Sequence, residues 1–321
     1  MYEITRILLL SAHLLTVNVA AGGPVICLWL EWRKGKRSSD ATRYMAAGSL
    51  VCLLVGGVLG VALGAMEWDG KYRDVWMNQL WWKVFFAVLE FLFSGILLLA
   101  YWLWRKRENP STWLSIARSF LLFVAATNLL YHFPTLFFNG QRLLDTGSNR
   151  GALSNAEFRT MLLTGETPAL AVHVALASVA VAGLALAHLA LRWERTGRND
   201  DAQWVAISGA RWALGATLLQ LPVGLWVLVS LPTTMQNELV GSNPLGLVVF
   251  ASGLVAALWL TRELVTISMG EWQRAGIIRA MLGMLLTITL MTASHDIARE
   301  KRQVSRAAET SSATIDVAPR S

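Results

Sequence analysis

The stretch LAVHVALASVAVAGLALAHLALRW, residues 170–193, decides the fold class, because it stays apolar for longer than a soluble helix or strand requires. A helix needs about 20 apolar residues to cross a bilayer. Seven further stretches reach that length, and the eight predicted spans cover about 4–32, 43–66, 79–104, 112–137, 168–192, 205–231, 244–265 and 275–296. Only 15% of the 321 residues are charged, whereas about 25% is usual in soluble domains. We therefore predict an all-α, polytopic membrane bundle of about eight transmembrane helices.

The spans leave little of the chain for a second domain. We predict that residues 1–302 form a single transmembrane bundle, since the spans take up most of this range. Residues 303–321 are rich in Ser, Ala and Thr, a composition typical of a disordered tail. The segment 138–167, between the fourth and fifth spans, is predicted to be the one loop long enough to fold over the outer surface.

Positive charges predict the orientation of the bundle. Basic residues concentrate in alternate loops, which marks the cytoplasmic side. They are Arg33, Lys34, Lys36, Arg37 and Arg43, then Arg105, Lys106 and Arg107, then Arg192, Arg195 and Arg198, and finally Arg262 and Arg274. Both termini are therefore predicted to lie outside the cytoplasm, in a multi-pass protein of a bacterial cytoplasmic (inner) membrane. This distribution accounts for the net charge of +7 without a nucleic-acid partner.

The sequence carries none of the motifs of the common soluble enzymes. P-loop, GxGxxG, HExxH and GxSxG patterns do not occur. The two cysteines, Cys27 and Cys52, lie inside the first two spans without a CxxCH pattern, which excludes covalent attachment of a c-type haem.

Four of the five histidines fall toward the outer ends of separate spans, namely His13, His132, His173 and His295. Imidazole is costly to bury in lipid without a partner, and it is a frequent ligand of haem iron. The pattern predicts either a layer of haem sites near one membrane face or a set of satisfied core histidines. His188 lies 15 residues after His173, roughly 22 Å along a helix, and is interpreted as structural.

Other polar residues inside the spans are also candidates for function. Glu90 lies near the middle of the third span, where a carboxylate indicates a proton path, a cofactor neighbour or a buried partner. Asn128, one turn before His132, is predicted to hydrogen-bond across helices. Arg118, toward the inner end of the fourth span, is predicted to snorkel to the interface. The glycines at 56, 57, 60 and 64 predict close helix packing, and they would also leave room for a flat macrocycle.

Five patches in the first 193 residues resemble subunit I of the cytochrome bd-type oxygen reductases. In chain order they are RILLLSAHLLTVNVAAGGPVICLWLEW (6–32), VGGVLGVALGAMEW (55–68), FAVLEFLFSGILLLAYW (86–102), ATNLLYHFPTLFFNGQ (126–141) and LAVHVALASVAVAGLALAHLALRW (170–193). Each patch alone is unspecific, and their order and spacing carry the resemblance. After residue 193 the similarity is weak.

The resemblance implies a respiratory-chain oxidoreductase that carries iron in haem b at more than one site, with haem d as an alternative. It makes His13 the axial ligand of the oxygen-reactive haem and His173 a ligand of the electron-accepting b haem. It places Glu90 on the proton side of the chemistry, so that His13 and Glu90 are the expected catalytic residues. Dioxygen would be reduced to water near the outer face.

Several positions depart from the pattern of that family. The segment PTTMQNELVGSNP, residues 232–244, is too short for the loop that binds quinol, so the electron donor is either quinol or a cytochrome c. Met235 lies in this predicted loop, whereas the family's methionine ligand opens the seventh span. His295 stands where the family has a glutamate, and Asp296 and Arg299 follow it as groups that orient an imidazole or pair with haem propionates. His132 is an additional histidine.

Three functions remain open at this point. The first is a haem-bearing electron-transfer subunit that resembles a bd oxidase and works with other membrane or cytochrome subunits. The second is a membrane cytochrome b that only conducts electrons for a partner enzyme. The third is a haem-free transporter or assembly protein. For the first two, the predicted metal ligands are His13, His132, His173 and His295, and the further cofactor-binding residues are Met235, Asn128 and Arg299.

Overall fold

The computed structural model describes residues 2–33, 35–104, 111–146, 151–241 and 243–316, with the backbone alone at 146 and 301–316. These ranges contain helices and no strand. The helices are α1 (Tyr2–Glu31), α2 (Lys36–Met66), α3 (Gly70–Asp74), α4 (Trp81–Trp104), α5 (Thr112–Thr146), α6 (Asn155–Leu163), α7 (Thr167–Arg195), α8 (Asn199–Ser230), α9 (Thr233–Val240), α10 (Pro244–Ser268) and α11 (Arg274–Asp316). A single π-helical turn, Val75–Gln79, follows α3.

Eight of these helices are long and apolar enough to cross a membrane, which confirms the predicted fold class. They are α1, α2, α4, α5, α7, α8, α10 and α11, and they correspond in order to the eight predicted spans. The side on which the termini lie stays a prediction. The backbone of α11 continues to Asp316, and residues 317–321 lie outside the described ranges. The domain boundary at 302 and the disorder of 303–321 also stay predictions.

The segment 138–167 is mostly helical, so its interpretation as a loop was wrong. α5 runs nine residues further than the predicted end at 137 and reaches Thr146, while α6 occupies Asn155–Leu163. The extension is held by packing, because Leu143 and Leu144 are buried in one cluster with Phe158 of α6. Burial of these apolar side chains stabilises a helix that hydropathy alone would end at the membrane boundary.

α7 is the central helix of the bundle. Its alanines pack against α1 and α8, and Ala182, Ala187 and Ala190 are fully buried. The α7–α8 crossing requires glycine, since a Cβ at Gly183 would lie 2.6 Å from the backbone nitrogen of Ala213. Small residues that let two backbones approach are the usual means of packing helices in lipid.

A buried ion pair joins the ends of α1, α4 and α5, and it corrects the prediction that Arg118 snorkels. The side chains of Arg118 and Glu31 are both fully buried, with Arg118 Nη1 3.6 Å from Glu31 Oε1. Tyr101 donates a hydrogen bond of 2.8 Å to Glu31 Oε2, and Arg118 Nη2 donates to the carbonyl of Trp104. Because a carboxylate lies within reach, the guanidinium turns into the bundle instead of toward the interface.

Candidate functional site

His13 and His173 lie at the same depth on two neighbouring helices. α1 and α7 run in the same direction, and Ser178 Oγ donates a hydrogen bond of 2.7 Å to Asn18 Oδ1. His13 lies five residues before Asn18, and His173 lies five residues before Ser178. One turn further on, a Cβ at Gly22 would overlap the carbonyl of Ser178, so the two backbones touch. The register therefore brings these two predicted ligands to one level of the bundle.

The ring of His13 is oriented by a backbone carbonyl of α2. Its Nδ1 lies 2.9 Å from the carbonyl oxygen of Gly56. A carbonyl oxygen only accepts hydrogen bonds, so Nδ1 carries the proton and the lone pair of Nε2 stays free. Metal-binding histidines in proteins commonly have this arrangement, with one ring nitrogen fixed by a hydrogen bond and the other on the metal.

The glycines of α2 serve helix packing. A Cβ at Gly60 would lie 3.0 Å from His13 Cε1, and a Cβ at Gly56 would lie 2.7 Å from a methyl carbon of Val17. A Cβ at Gly57 would meet the ring of Phe91 at 2.8 Å. Because side chains of α1 and α4 fill the space beside these three glycines, the alternative interpretation as room for a macrocycle is wrong there.

His173 carries a buried ring nitrogen, Nδ1. Its Nδ1 has no hydrogen-bond partner among the described residues. The backbone carbonyl of the same residue accepts a hydrogen bond of 3.4 Å from Gln220 Nε2 on α8. A buried polar atom without a partner costs about 1–3 kcal/mol, which a ligand at this position would recover.

His295 lies nearer the end of the bundle, within a network of charges. Its side chain is exposed. The facing charges are Arg299 and Asp296 of its own helix, Asp145 of α5 and Glu166 at the start of α7. Arg299 Nε donates to Asp145 Oδ1 over 3.2 Å, which attaches α11 to the extended end of α5.

A second part of this network ties α11 to the first two helices. Arg6 pairs with Asp296 and Glu3, and its Nη1 lies 3.4 Å from Glu67 Oε1. Arg6 precedes His13 by seven residues, so Asp296 and the adjacent His295 lie roughly 10 Å nearer the helix ends than His13. Burial, together with the Glu67 carboxylate, raises the pKa of Tyr72 beside this network.

Met235 packs beside His295's helix. It lies in α9 and not in the predicted loop, and it is buried in one cluster with Leu239 and Ala298 of α11. Ala298 follows His295 by three residues, one turn along α11. Met235 therefore packs in the cluster that contains Ala298 of α11, the helix of His295.

His132 points away from the other histidines, toward α4. Its Nδ1 lies 3.1 Å from Glu90 Oε1, and the two side chains are 45% and 24% exposed. The pair therefore lies at the surface of the bundle. Asn128 links the same two helices, as predicted, since its Nδ2 donates to the carbonyl of Glu90 at 2.9 Å and to Ser94 Oγ at 2.7 Å.

The described side chains contain no cluster of three or more His, Cys, Asp or Glu that could hold a metal ion without help. Haem iron does not need such a cluster, because the porphyrin supplies four ligands and the protein adds one or two. An oriented imidazole at His13 and an unsatisfied one at His173 fit that requirement. Separate, single imidazoles suit haem better than a free metal ion.

Sequence reasoning missed the residues that set this geometry. Asn18 and Ser178 were not singled out, although a buried asparagine in the middle of an apolar span is a detectable signal. Arg6 and Glu31 were also overlooked, because charges close to span ends ordinarily indicate only an interface.

No protein-family model and no curated protein sequence matches the chain. A solved structure does: a chain in the structure of bd oxidase from Geobacillus thermodenitrificans superposes with a TM-score of 0.71. The match covers 94% of this chain and 87% of that chain, at 14% sequence identity. The chain has a bd-oxidase-like fold. At this identity the likeness shows the fold alone.

Proposed function

We propose that this protein is a haem-binding electron-transfer subunit of a bacterial cytoplasmic membrane, related in design to subunit I of the bd oxidases. The observation that carries the proposal is the common depth of His13 and His173 on adjacent helices of a bd-oxidase-like fold. Both termini would lie outside the cytoplasm, and other membrane or cytochrome subunits would be its partners.

His13 and His173 would each bind a separate haem b through one ring nitrogen. Bound haem would supply a one-electron redox centre at each position. The carbonyl of Gly56 would hold the ring of His13 and leave Nε2 available to the iron, and haem would give the buried Nδ1 of His173 a partner. If the protein reduces oxygen, haem d would be the alternative to haem b at His13.

Glu90 and His132 would hold and exchange a proton inside the membrane. The 3.1 Å between Glu90 Oε1 and His132 Nδ1 is short enough for a proton to pass between the two groups. Reduction of one dioxygen to two waters consumes four electrons and four protons, and quinol or a cytochrome c would supply the electrons. Glu90, as the proton-transfer group, and His13, as the ligand of the oxygen-reactive haem, would be the catalytic residues.

The second candidate function is an electron conduit without oxygen chemistry. It is favoured by the packing of Met235 against the helix of His295, since a histidine and a methionine together complete the coordination of a haem that binds no oxygen. Arg299 would pair with a haem propionate through the N–H groups that Asp145 does not occupy.

The haem content of the purified protein tests the proposal. We expect a Soret band and a pyridine haemochrome spectrum of haem b, with reduced absorbance in His13→Ala and in His173→Ala. His188→Ala is the matched control, since this histidine lies at the other end of α7 and should leave the spectrum unchanged. A native protein without a Soret band would overturn the proposal and favour the haem-free transporter or assembly protein.

A further inference from the structure

Residues 35–37 and the start of α8 line an open basic recess, far from the His13 level. It measures about 590 Å³ and is lined by Gly35, Lys36, Arg37, Arg198 and Asp201. We call it the basic recess. Gly35 turns the chain from α1 into α2 with φ +112°, a left-handed conformation that favours glycine.

Arg198 links the helices around the recess, and its positive charge is largely paired with carboxylates. Its Nη1 lies 2.9 Å from Asp40 Oδ2 of α2, and its Nη2 lies 2.9 Å from Asp201 Oδ2 of α8. The guanidinium also lies 4.3 Å above the ring of Trp193. These contacts join α2, α7 and α8, and they neutralise the one carboxylate that lines the recess.

Lys36 and Arg37 supply the free positive charge. Both side chains are exposed, and neither pairs with a carboxylate of the described residues. The guanidinium of Arg37 lies 4.8 Å from the ring centroid of Trp204, and that of Arg33 lies 5.1 Å from the ring centroid of Trp29. A cation held on an aromatic face keeps the N–H donors along its edge available for an anion.

The two tryptophans place this charge at the depth of lipid headgroups. Trp29 and Trp204 stack with their rings 6.2 Å apart and an interplanar angle of 11°, so that Arg33, Trp29, Trp204 and Arg37 form one continuous stack. Tryptophan rings collect where the hydrocarbon core meets the headgroups. An anion that reaches the recess is therefore more readily a membrane lipid than a solute.

We propose that the basic recess binds the phosphate of an anionic glycerophospholipid, such as phosphatidylglycerol, in the leaflet at this end of the bundle. Lys36 and Arg37 donate to the phosphate oxygens, and the acyl chains run along the apolar helices. Basic pockets between transmembrane helices have the chemistry for this recognition, and a zwitterionic choline lipid lacks the net charge that would hold it there.

Lipid selectivity of the purified full-length protein tests the assignment. Native mass spectrometry would measure retained phosphatidylglycerol against phosphatidylcholine after titration with equal amounts of each. We expect wild type to prefer phosphatidylglycerol and each of Lys36→Gln and Arg37→Gln to lower the preference about fivefold. The control Lys71→Gln/Arg73→Gln removes the same charge as the double variant from the exposed helix α3 and should leave the preference unchanged.

Three outcomes would overturn the proposal. One is an unchanged preference in the Lys36→Gln/Arg37→Gln double variant. Another is an equal loss in the α3 control, since the preference would then reflect net charge alone. The third is displacement of phosphatidylglycerol by millimolar inorganic phosphate, which would make the recess a site for a soluble anion. All four substituted side chains are exposed, so the variants should fold like wild type.

Discussion

Ser178 on α7 donates a hydrogen bond of 2.7 Å to Asn18 on α1, and this contact fixes the relative register of the two helices that carry His13 and His173. Ser178 Oγ also lies 2.9 Å from the carbonyl of Val174 in its own helix, so the hydroxyl has an alternative acceptor. Asn18 is buried, and its side-chain oxygen depends on Ser178.

Removal of the Asn18–Ser178 hydrogen bond should lower the stability of the protein and weaken the contact that holds His13 and His173 at one depth. We expect Ser178→Ala to reduce the free energy of unfolding by about 1 kcal/mol, because the Asn18 oxygen is left buried without its donor. Asn18→Leu/Ser178→Ala should recover part of the loss, since both polar partners are gone. The free energies of unfolding of the two single variants and of the double variant, measured in mixed micelles, would test this prediction. It is contradicted if the effects of the two single substitutions simply add in the double variant.

Gly183→Ala should disrupt the α7–α8 crossing. The added Cβ would lie 2.6 Å from the Ala213 nitrogen and 2.9 Å from the Gly209 carbonyl oxygen, and backbone atoms cannot give way cheaply. We expect loss of the folded monodisperse protein on size exclusion in detergent. The matched control is Gly215→Ala in α8, where no described atom outside the adjacent helix backbone lies within 4 Å of the new Cβ. That variant should equal wild type or gain up to about 1 kcal/mol of helix stability.

Arg118→Met should be among the most damaging single substitutions outside the histidine sites. It leaves the Glu31 carboxylate fully buried without its cation, at a cost of about 3–5 kcal/mol in the free energy of unfolding. Arg118→Met/Glu31→Gln should recover most of this, because no buried charge remains. Arg262→Met, at an exposed arginine, serves as control, and the prediction fails if the double variant is no more stable than Arg118→Met.

His13→Ala should abolish carbon monoxide binding by the reduced protein. If His13 is the single protein ligand of the oxygen-reactive haem, the iron keeps an open face and its carbon monoxide difference spectrum depends on this ring. His173→Ala should instead remove a low-spin signal and leave carbon monoxide binding in place. A native protein that binds no carbon monoxide would favour the electron conduit.

His295→Ala should shift a haem spectrum or midpoint potential, and His295→Glu should restore much of the native signal. The first expectation follows from the exposed ring and the neighbouring Arg299, and the second from the glutamate of the resembling family. The competing interpretation is a histidine that only interacts with the charges at the helix end. If both variants have the same haem spectrum and midpoint potential as the wild type, that interpretation is supported.

Local hydropathy alone determined the fold class and the number of spans. Each span satisfies its own backbone hydrogen bonds in lipid, so an apolar run of sufficient length is a helix whatever its neighbours are. This reasoning also predicted imidazoles as haem ligands, which stays a prediction, and it anticipated the link from Asn128 to α4. It ended α5 too early, because packing of Leu143 and Leu144 against α6 is not visible in a hydropathy pattern.

The tertiary structure alone decided which polar groups meet. A side chain's direction depends on the rotation and register of its helix, and contacts with neighbouring helices set both. Asn18 and Ser178 bring His13 level with His173, Glu90 draws His132 to the surface, and Glu31 turns Arg118 inward. Each outcome needs a partner more than 35 residues away in the chain, and a one-dimensional pattern carries no information about that partner.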